Sequence, residues 1–151
     1  MIFLLGSTLA NFEINDFLFN LSNAMFERDY LVIGNGIRTG QRLVSLETYK
    51  AKMFDDWFFE LMKGLGFKKN EVEYDARFAN SRVECFYKVK VNKKIDYLGN
   101  KVEFKKGDQI IVAVLYKYYE KELYEFTRRY FRSVEVIKDP DNEYAILVCK
   151  K

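Results

Sequence analysis

The residues of this 151-residue chain best placed to do chemistry are Gly6, Ser7, Thr8 and Asn11. They close the stretch MIFLLGSTLANF, an apolar run that stops at three small residues and then offers an amide. Small polar side chains and unshielded backbone groups at the carboxyl end of a strand are what an open α/β sheet uses to hold a ligand above its dry interior. The chemistry on offer is therefore binding and alignment. The chain holds no histidine, which removes His-based triads, imidazole acid–base catalysis and most zinc sites, and no metal is expected. Cys85 and Cys149 lie far apart in sequence, the pattern of reduced thiols in a cytoplasmic protein. The glycine run GNGIRTG, Gly34 to Gly40, resembles a dinucleotide phosphate loop without its spacing. It reads GxGxxxG, and the next helix opens too late for its N-terminus to meet a pyrophosphate.

Positioning these residues requires a strand before Gly6 and a helix after Asn11. Residues 1–5 read as a buried strand opening into a polar loop. Ile14, Phe17, Leu18, Leu21 and Met25 recur at helical spacing behind Glu13, Asn15 and Asp16, which suit the unpaired amides of a helix start, so a helix is expected over 14–26. Residues 30–33 form a second apolar run, ended by a tight turn at Gly34-Asn35-Gly36. Strand, helix, strand with short connections is the right-handed crossover unit of a parallel sheet. Ser45 is expected to cap one long helix reaching Gly64, with Leu46, Tyr49, Met53, Phe54, Trp57, Phe58, Leu61 and Met62 in its apolar stripe. From Glu71 the period falls to two, giving antiparallel strands over 72–78, 83–91 and 102–104 and a long apolar run over 110–118. A third helix starts at Glu120, and strands over 134–137 and 144–148 are joined by the turn Asp139-Pro140-Asp141-Asn142.

Composition fits a packed globular chain: 49% hydrophobic and 17% aromatic residues, with one proline, leave no segment that reads as disordered. The net charge of +3, from 25 basic and 22 acidic residues spread along the chain, argues for neither nucleic acid nor membrane as a partner. No signal peptide is visible, and no apolar run approaches the roughly 18 residues of a membrane span, so a cytoplasmic location is expected.

Three stretches taken in order resemble the histidine-specific, S-adenosylmethionine-dependent methyltransferases of the ergothioneine-pathway type. LLGSTLANF looks like the family's FLGSTIGNF, which follows the fourth strand of its sheet. ARFANSRVECFYKV looks like the segment in which an Arg-Ile-Glu-Met stretch lines the substrate cavity. FKKGDQIIVAVLYKY looks like F-x-x-G-E-x-I-x-T-E-x-S-x-K-Y. In the histidine-methylating members a Glu and a Ser of that last segment bond the substrate imidazole. Here Ala113 and Leu115 stand at those positions, with no donor or acceptor on either side chain. Losing both partners costs on the order of several kcal/mol of recognition, so histidine is not the expected substrate.

The resemblance implies an α/β fold: the C-terminal half of a class I, Rossmann-like methyltransferase sheet, strand order 4-5-7-6, with an inserted antiparallel α+β lobe. Residues 1–64 and 119–151 would make the half sheet, and 65–118 the substrate lobe. It implies Gly6 and Ser7 on the cofactor side and Asn11, Tyr49 and Cys85 on the substrate side, with no catalytic residue assigned. Tyr49 is either a core residue of its helix or a contact to a substrate carboxylate. The family's Gly-rich cofactor loop and ribose-binding acid belong to earlier strands, so S-adenosylmethionine is expected to bind only when an N-terminal half complements this one. The expected function is the C-terminal portion of an amino-acid or small-amine N-methyltransferase, inactive alone. The alternative is a non-catalytic interaction or small-ligand module on the same scaffold, dimeric through the exposed edge of strand four, an apolar edge that is a pairing hazard if left open. An unrelated α+β binding protein is the third reading.

Overall fold

The computed structural model describes residues 1–40 and 46–151, and the side chain of Tyr97 is left out of the description. Ser45, the expected helix cap, lies outside the described residues. In chain order the elements are β1 (Ile2–Leu4), a 3-10 turn (Thr8–Asn11), α1 (Ile14–Ala24), β2 (Tyr30–Gly36), α2 (Leu46–Tyr49) and α3 (Lys52–Gly64). Then come β3 (Val72–Ala79), β4 (Arg82–Val89), β5 (Lys93–Tyr97), β6 (Asn100–Phe104), β7 (Gln109–Tyr116), α4 (Glu120–Arg128), β8 (Ser133–Lys138) and β9 (Tyr144–Lys150). The result is an α/β chain with mixed sheets, and no helix among the described residues is long and apolar enough to cross a membrane. It forms two compact units, Met1–Leu43 with Leu115–Lys151, and Val44–Val114.

The first unit is built on a four-stranded sheet in the order β1-β2-β9-β8. β1 runs parallel to β2, pairing Ile2 with Leu31 and Leu4 with Ile33, while β9 runs antiparallel to both β2 and β8. Alternation puts Leu31, Ile33, Ala145, Leu147 and Cys149 on one buried face, where Ile14 and Leu18 of α1 and Leu123 of α4 complete the core. α1 begins where Glu13 accepts the Asp16 amide at 2.8 Å, which also holds the Glu13 carboxyl below its usual range. The β8–β9 hairpin closes as its sequence demands: Asp139 Oδ1 accepts the amides of Glu143 and Tyr144, and Asn142 takes φ 56°.

The opposite face of this sheet is open. By register Phe3 stands beside Val32 and Val148, and Ile146 beside Ile137. Phe3 is 61% exposed, Leu5 54%, Ile137 50% and Ile146 37%. β1 is therefore not the buried strand expected from its composition. It has one neighbour, β2, and lies at the sheet edge.

The second unit packs α3 on a three-stranded sheet, β3-β4-β7, in which β3 and β4 run antiparallel, with Phe59 and Met62 against Phe67, Val72, Tyr87 and Val89. α3, expected with the residues of the half sheet, thus contributes its buried side to this second core. β5 and β6 form a separate hairpin whose turn, Leu98-Gly99, has positive φ at both residues.

Two expectations are corrected here. Gly34-Asn35-Gly36 is not a turn but the end of β2, paired residue by residue with Tyr144–Ala145–Ile146. Gly34 is small for a reason of space, since a Cβ there would lie 2.5 Å from the Tyr144 hydroxyl. The long helix from residue 45 is also interrupted: α2 ends at Tyr49, and Ala51 is extended at φ −60°, ψ 145° before α3 begins. At the break the Tyr74 hydroxyl donates to the Tyr49 carbonyl at 2.7 Å, satisfying by side chain the acceptor that a continuous helix would have used.

Candidate functional site

The turn after β1 is held in an unusual backbone state. Gly6 and Ser7 both sit in the left-handed region, at φ 70° and 60°, which is free for glycine but costs a serine of order 1 kcal/mol or more. Nothing lies within 4 Å of a Cβ built on Gly6, so its requirement is conformational and not spatial. β2 fixes the turn from two sides: the Ser7 amide donates to the Gly34 carbonyl at 3.0 Å, and the Gly36 amide donates to Ser7 Oγ at 2.9 Å. Thr8 Oγ1 donates back to the Leu5 carbonyl at 2.7 Å. The segment beyond is a 3-10 turn, not a plain loop, because Leu9 and Ala10 must be buried against the core. Asn11 ends that turn with its side chain exposed. Gly6, Ser7 and Asn11 are thus brought together at the carboxyl end of the parallel pair β1–β2.

Tyr49 and Cys85 lie in the second unit, and both meet Tyr74. The Tyr74 hydroxyl donates to the Tyr49 carbonyl, and the Cys85 thiol shares a hydrogen bond with the same phenol. Cys85 has no exposed surface, and burial pushes its thiol above the ordinary range, so it is a packed, protonated group. Tyr49 is half-buried with its ring tilted on Phe54, centroids 5.6 Å apart. The neighbouring Tyr87 is fully buried and donates to the Asp55 carbonyl and carboxylate at 2.7 and 2.8 Å. Burial pushes the Tyr74 and Tyr87 phenols strongly upward, so both keep their protons at neutral pH.

Two polar residues escaped the sequence reading. Glu84, 3% exposed, is bonded by Arg77 Nε at 2.8 Å and by Arg82 Nε at 2.9 Å, and the Arg77 guanidinium also lies 4.8 Å from the Phe86 ring centroid. Asn35, 1% exposed, occupies the place on β2 where the Leu31, Ile33 alternation calls for a third apolar side chain. That interruption was its only signal. Ala113 and Leu115 are both half-buried on β7. A surface depression of about 550 Å3 runs along α4 beside Tyr119, Glu122, Phe126 and Arg129, and none of the expected site residues lines it. Among the described residues no group of three or more His, Cys, Asp or Glu could hold a metal ion.

A nucleoside sulfonium cofactor needs free backbone amides at a glycine-rich turn and an acid for its ribose hydroxyls. The amide of Gly36 is taken by Ser7, and the residues from Gly34 to Gly36 lie in the β2–β9 ladder. Residues 5–12 and 37–40 contain no Asp or Glu. The turn at Gly6-Ser7 can flank such a cofactor, but the residues present do not fit the whole of it. The model of a family described as histidine-specific, S-adenosylmethionine-dependent methyltransferases matches residues 1–151, the full length of the chain. No curated protein matches it.

Proposed function

We propose, from the premise that this chain belongs to the histidine-specific, S-adenosylmethionine-dependent methyltransferase family, that it forms one wall of an N-methyltransferase acting on an amino acid or small amine other than histidine. The family's cofactor is S-adenosylmethionine, which supplies a sulfonium-bound methyl group. The observation that carries the reading is the left-handed Gly6-Ser7 turn pinned by β2 at the carboxyl end of the parallel pair. In support, the order β1-β2-β9-β8 with β9 antiparallel can be read as strands 4-5-7-6 of a class I sheet. Gly6 and Ser7 are then the cofactor-side contacts and Asn11 a substrate contact, with Tyr49 and Cys85, joined through Tyr74, the candidates in the second unit. Methyl transfer to an amine asks the protein chiefly for alignment, which needs no acid–base dyad.

The second cradle for the cofactor would come from a complementary segment, on this or another polypeptide, paired along the free edge of β1. Titration calorimetry tests this. The chain by itself is expected to give no heat with S-adenosylmethionine, and tight binding would refute the need for a complement. With the complement present, binding is expected to appear and to weaken at least tenfold in Gly6→Val, which cannot hold φ 70° without strain. Unchanged binding in that variant would remove the turn from the cofactor site. The apolar β1 at the sheet edge favours a second reading, a non-catalytic module that dimerises along that edge, for which a solution mass of two chains together with absence of any cofactor binding would speak.

A further inference from the structure

The depression of about 550 Å3 along α4 is walled by charges that do not satisfy one another. We propose that it binds a zwitterionic α-amino acid with an apolar side chain, at a site separate from the Gly6-Ser7 turn and independent of whether the chain takes part in methyl transfer. Its size lies within the roughly 300–1,000 Å3 of small-molecule pockets. Two aromatic rings, Tyr119 and Phe126, line it together with Glu122, Glu125, Lys121 and Arg129, so two carboxylates are matched by two cations and the site as a whole is neutral. Neutrality with both signs present suits a ligand that carries both, and leaves a simple amine or a simple acid with a charge of its own sign to face.

The charges are held apart by the fold. Glu125 and Arg129 stand four residues apart in the order that favours an ion pair on a helix, yet among the described residues Glu125 makes no ion pair or hydrogen bond. The Arg129 guanidinium lies instead 5.1 Å from the Phe126 ring centroid, and its Nη1 reaches Asn15 Oδ1 at 3.4 Å. An anion and a cation are thereby kept one turn apart, about 6 Å along the axis, a gap that an ammonium and a carboxylate borne on one carbon can bridge. Glu122 spends one oxygen only, Oε2 accepting the Tyr119 amide at 2.8 Å, which leaves Oε1 as a second acceptor for the ammonium. Carboxylates three residues apart on a helix also repel each other until a cation comes between them. The apolar walls are fixed before any ligand arrives. Arg38 stacks 4.1 Å from the Tyr119 ring centroid and donates to its hydroxyl, and Phe126 packs edge-on against the buried Tyr118, centroids 6.0 Å apart. Rings held in this way give an apolar side chain a surface to lie on at little ordering cost.

Titration calorimetry of the whole chain with three probes of similar shape tests this: L-phenylalanine, which carries both charges, phenethylamine, which keeps only the ammonium, and hydrocinnamate, which keeps only the carboxylate. L-phenylalanine is expected to bind with a millimolar or tighter Kd, and each single-charge analogue at least about tenfold more weakly. Glu125→Gln and Arg129→Gln, both at exposed positions, are each expected to weaken L-phenylalanine by about tenfold with the melting temperature kept. No heat with L-phenylalanine, an analogue that binds as tightly, or full binding in either variant overturns the proposal. Amide chemical shifts of the unaltered chain decide the location without relying on the variants. Changes on adding L-phenylalanine are expected along α4 from Tyr119 to Arg129, and changes confined to other elements overturn the assignment.

Discussion

Glu84 stands where period-two alternation places a solvated side chain, between the buried Val83 and Cys85, yet it is as buried as they are. The two arginines explain it: Arg82 first and Arg77 second hold its carboxyl below the ordinary carboxylate range against the opposing cost of burial. A carboxyl with a lowered folded pKa adds stability above its unfolded value, near 4.5, and that stability is lost as pH falls through the folded value. Glu84→Gln is expected to cost about 2 kcal/mol at pH 7, since both guanidinium groups keep partial access to water, and to flatten the acid limb of the stability curve. Chemical denaturation at pH 7 and pH 3.5 checks both. Ala113 and Leu115 carry a prediction about specificity. If their apolar side chains exclude an imidazole, Ala113→Glu/Leu115→Ser gains histidine binding in the complemented protein, and no gain in calorimetry would detach these positions from the substrate. At this scale the turn at Gly6-Ser7 was legible, because small residues there end an apolar run. The sequence was illegible where burial is created by partners distant in sequence: nothing adjacent to Glu84 announces that Arg77, across the hairpin, will cover it.

Elements with one strong period were readable, and those decided by a single tertiary hydrogen bond were not. The α1 and α4 stripes and the β3 and β4 alternation follow from side-chain spacing alone. The interruption between α2 and α3 does not, because the apolar stripe continues through it and only Tyr74, from β3, reveals why the Tyr49 carbonyl can leave the helix. Tyr74→Phe is expected to cost about 1 kcal/mol, and hydrogen exchange is expected to show faster opening of α2 with α3 unchanged. β5 was missed because KKIDY offers one inward apolar residue, Ile95, among charges. β2 was cut short because its glycines look like a turn, whereas Gly34 answers to the Tyr144 phenol. Gly34→Ala is expected to destabilise by about 1 kcal/mol, with the loss recovered in Gly34→Ala/Tyr144→Phe, and an additive double variant would show that the phenol is not the cause.

At the scale of the whole chain, burial keeps the enclosed thiols and phenols protonated well above neutral pH. There is no histidine, the buried Cys149 thiol is pushed up to about 12, and Tyr74, Tyr87 and Tyr118 are all raised, chiefly by burial. A phenol with a raised folded pKa leaves stability intact below its unfolded value near 10 and removes it as pH climbs above that. The melting temperature is therefore expected to be nearly level from about pH 6 to 9 and to fall on both sides, and a step near pH 6.5 would contradict this account. The parallel pairing of β1 with β2 and the β8–β9 hairpin were within reach of the sequence, because crossover and hairpin rules leave few alternatives there. How much of the sheet stays bare was not, because an apolar strand looks the same whether one neighbour or two will flank it. That bareness has a practical consequence. Phe3, Leu5, Ile137 and Ile146 offer a sticky patch to unfolded chains nearby, so recovery in the soluble fraction, more than thermal resistance, is expected to limit what can be purified. Charging the patch with Phe3→Lys and Ile137→Lys should raise yield and quench binding of apolar dyes while leaving the melt in place.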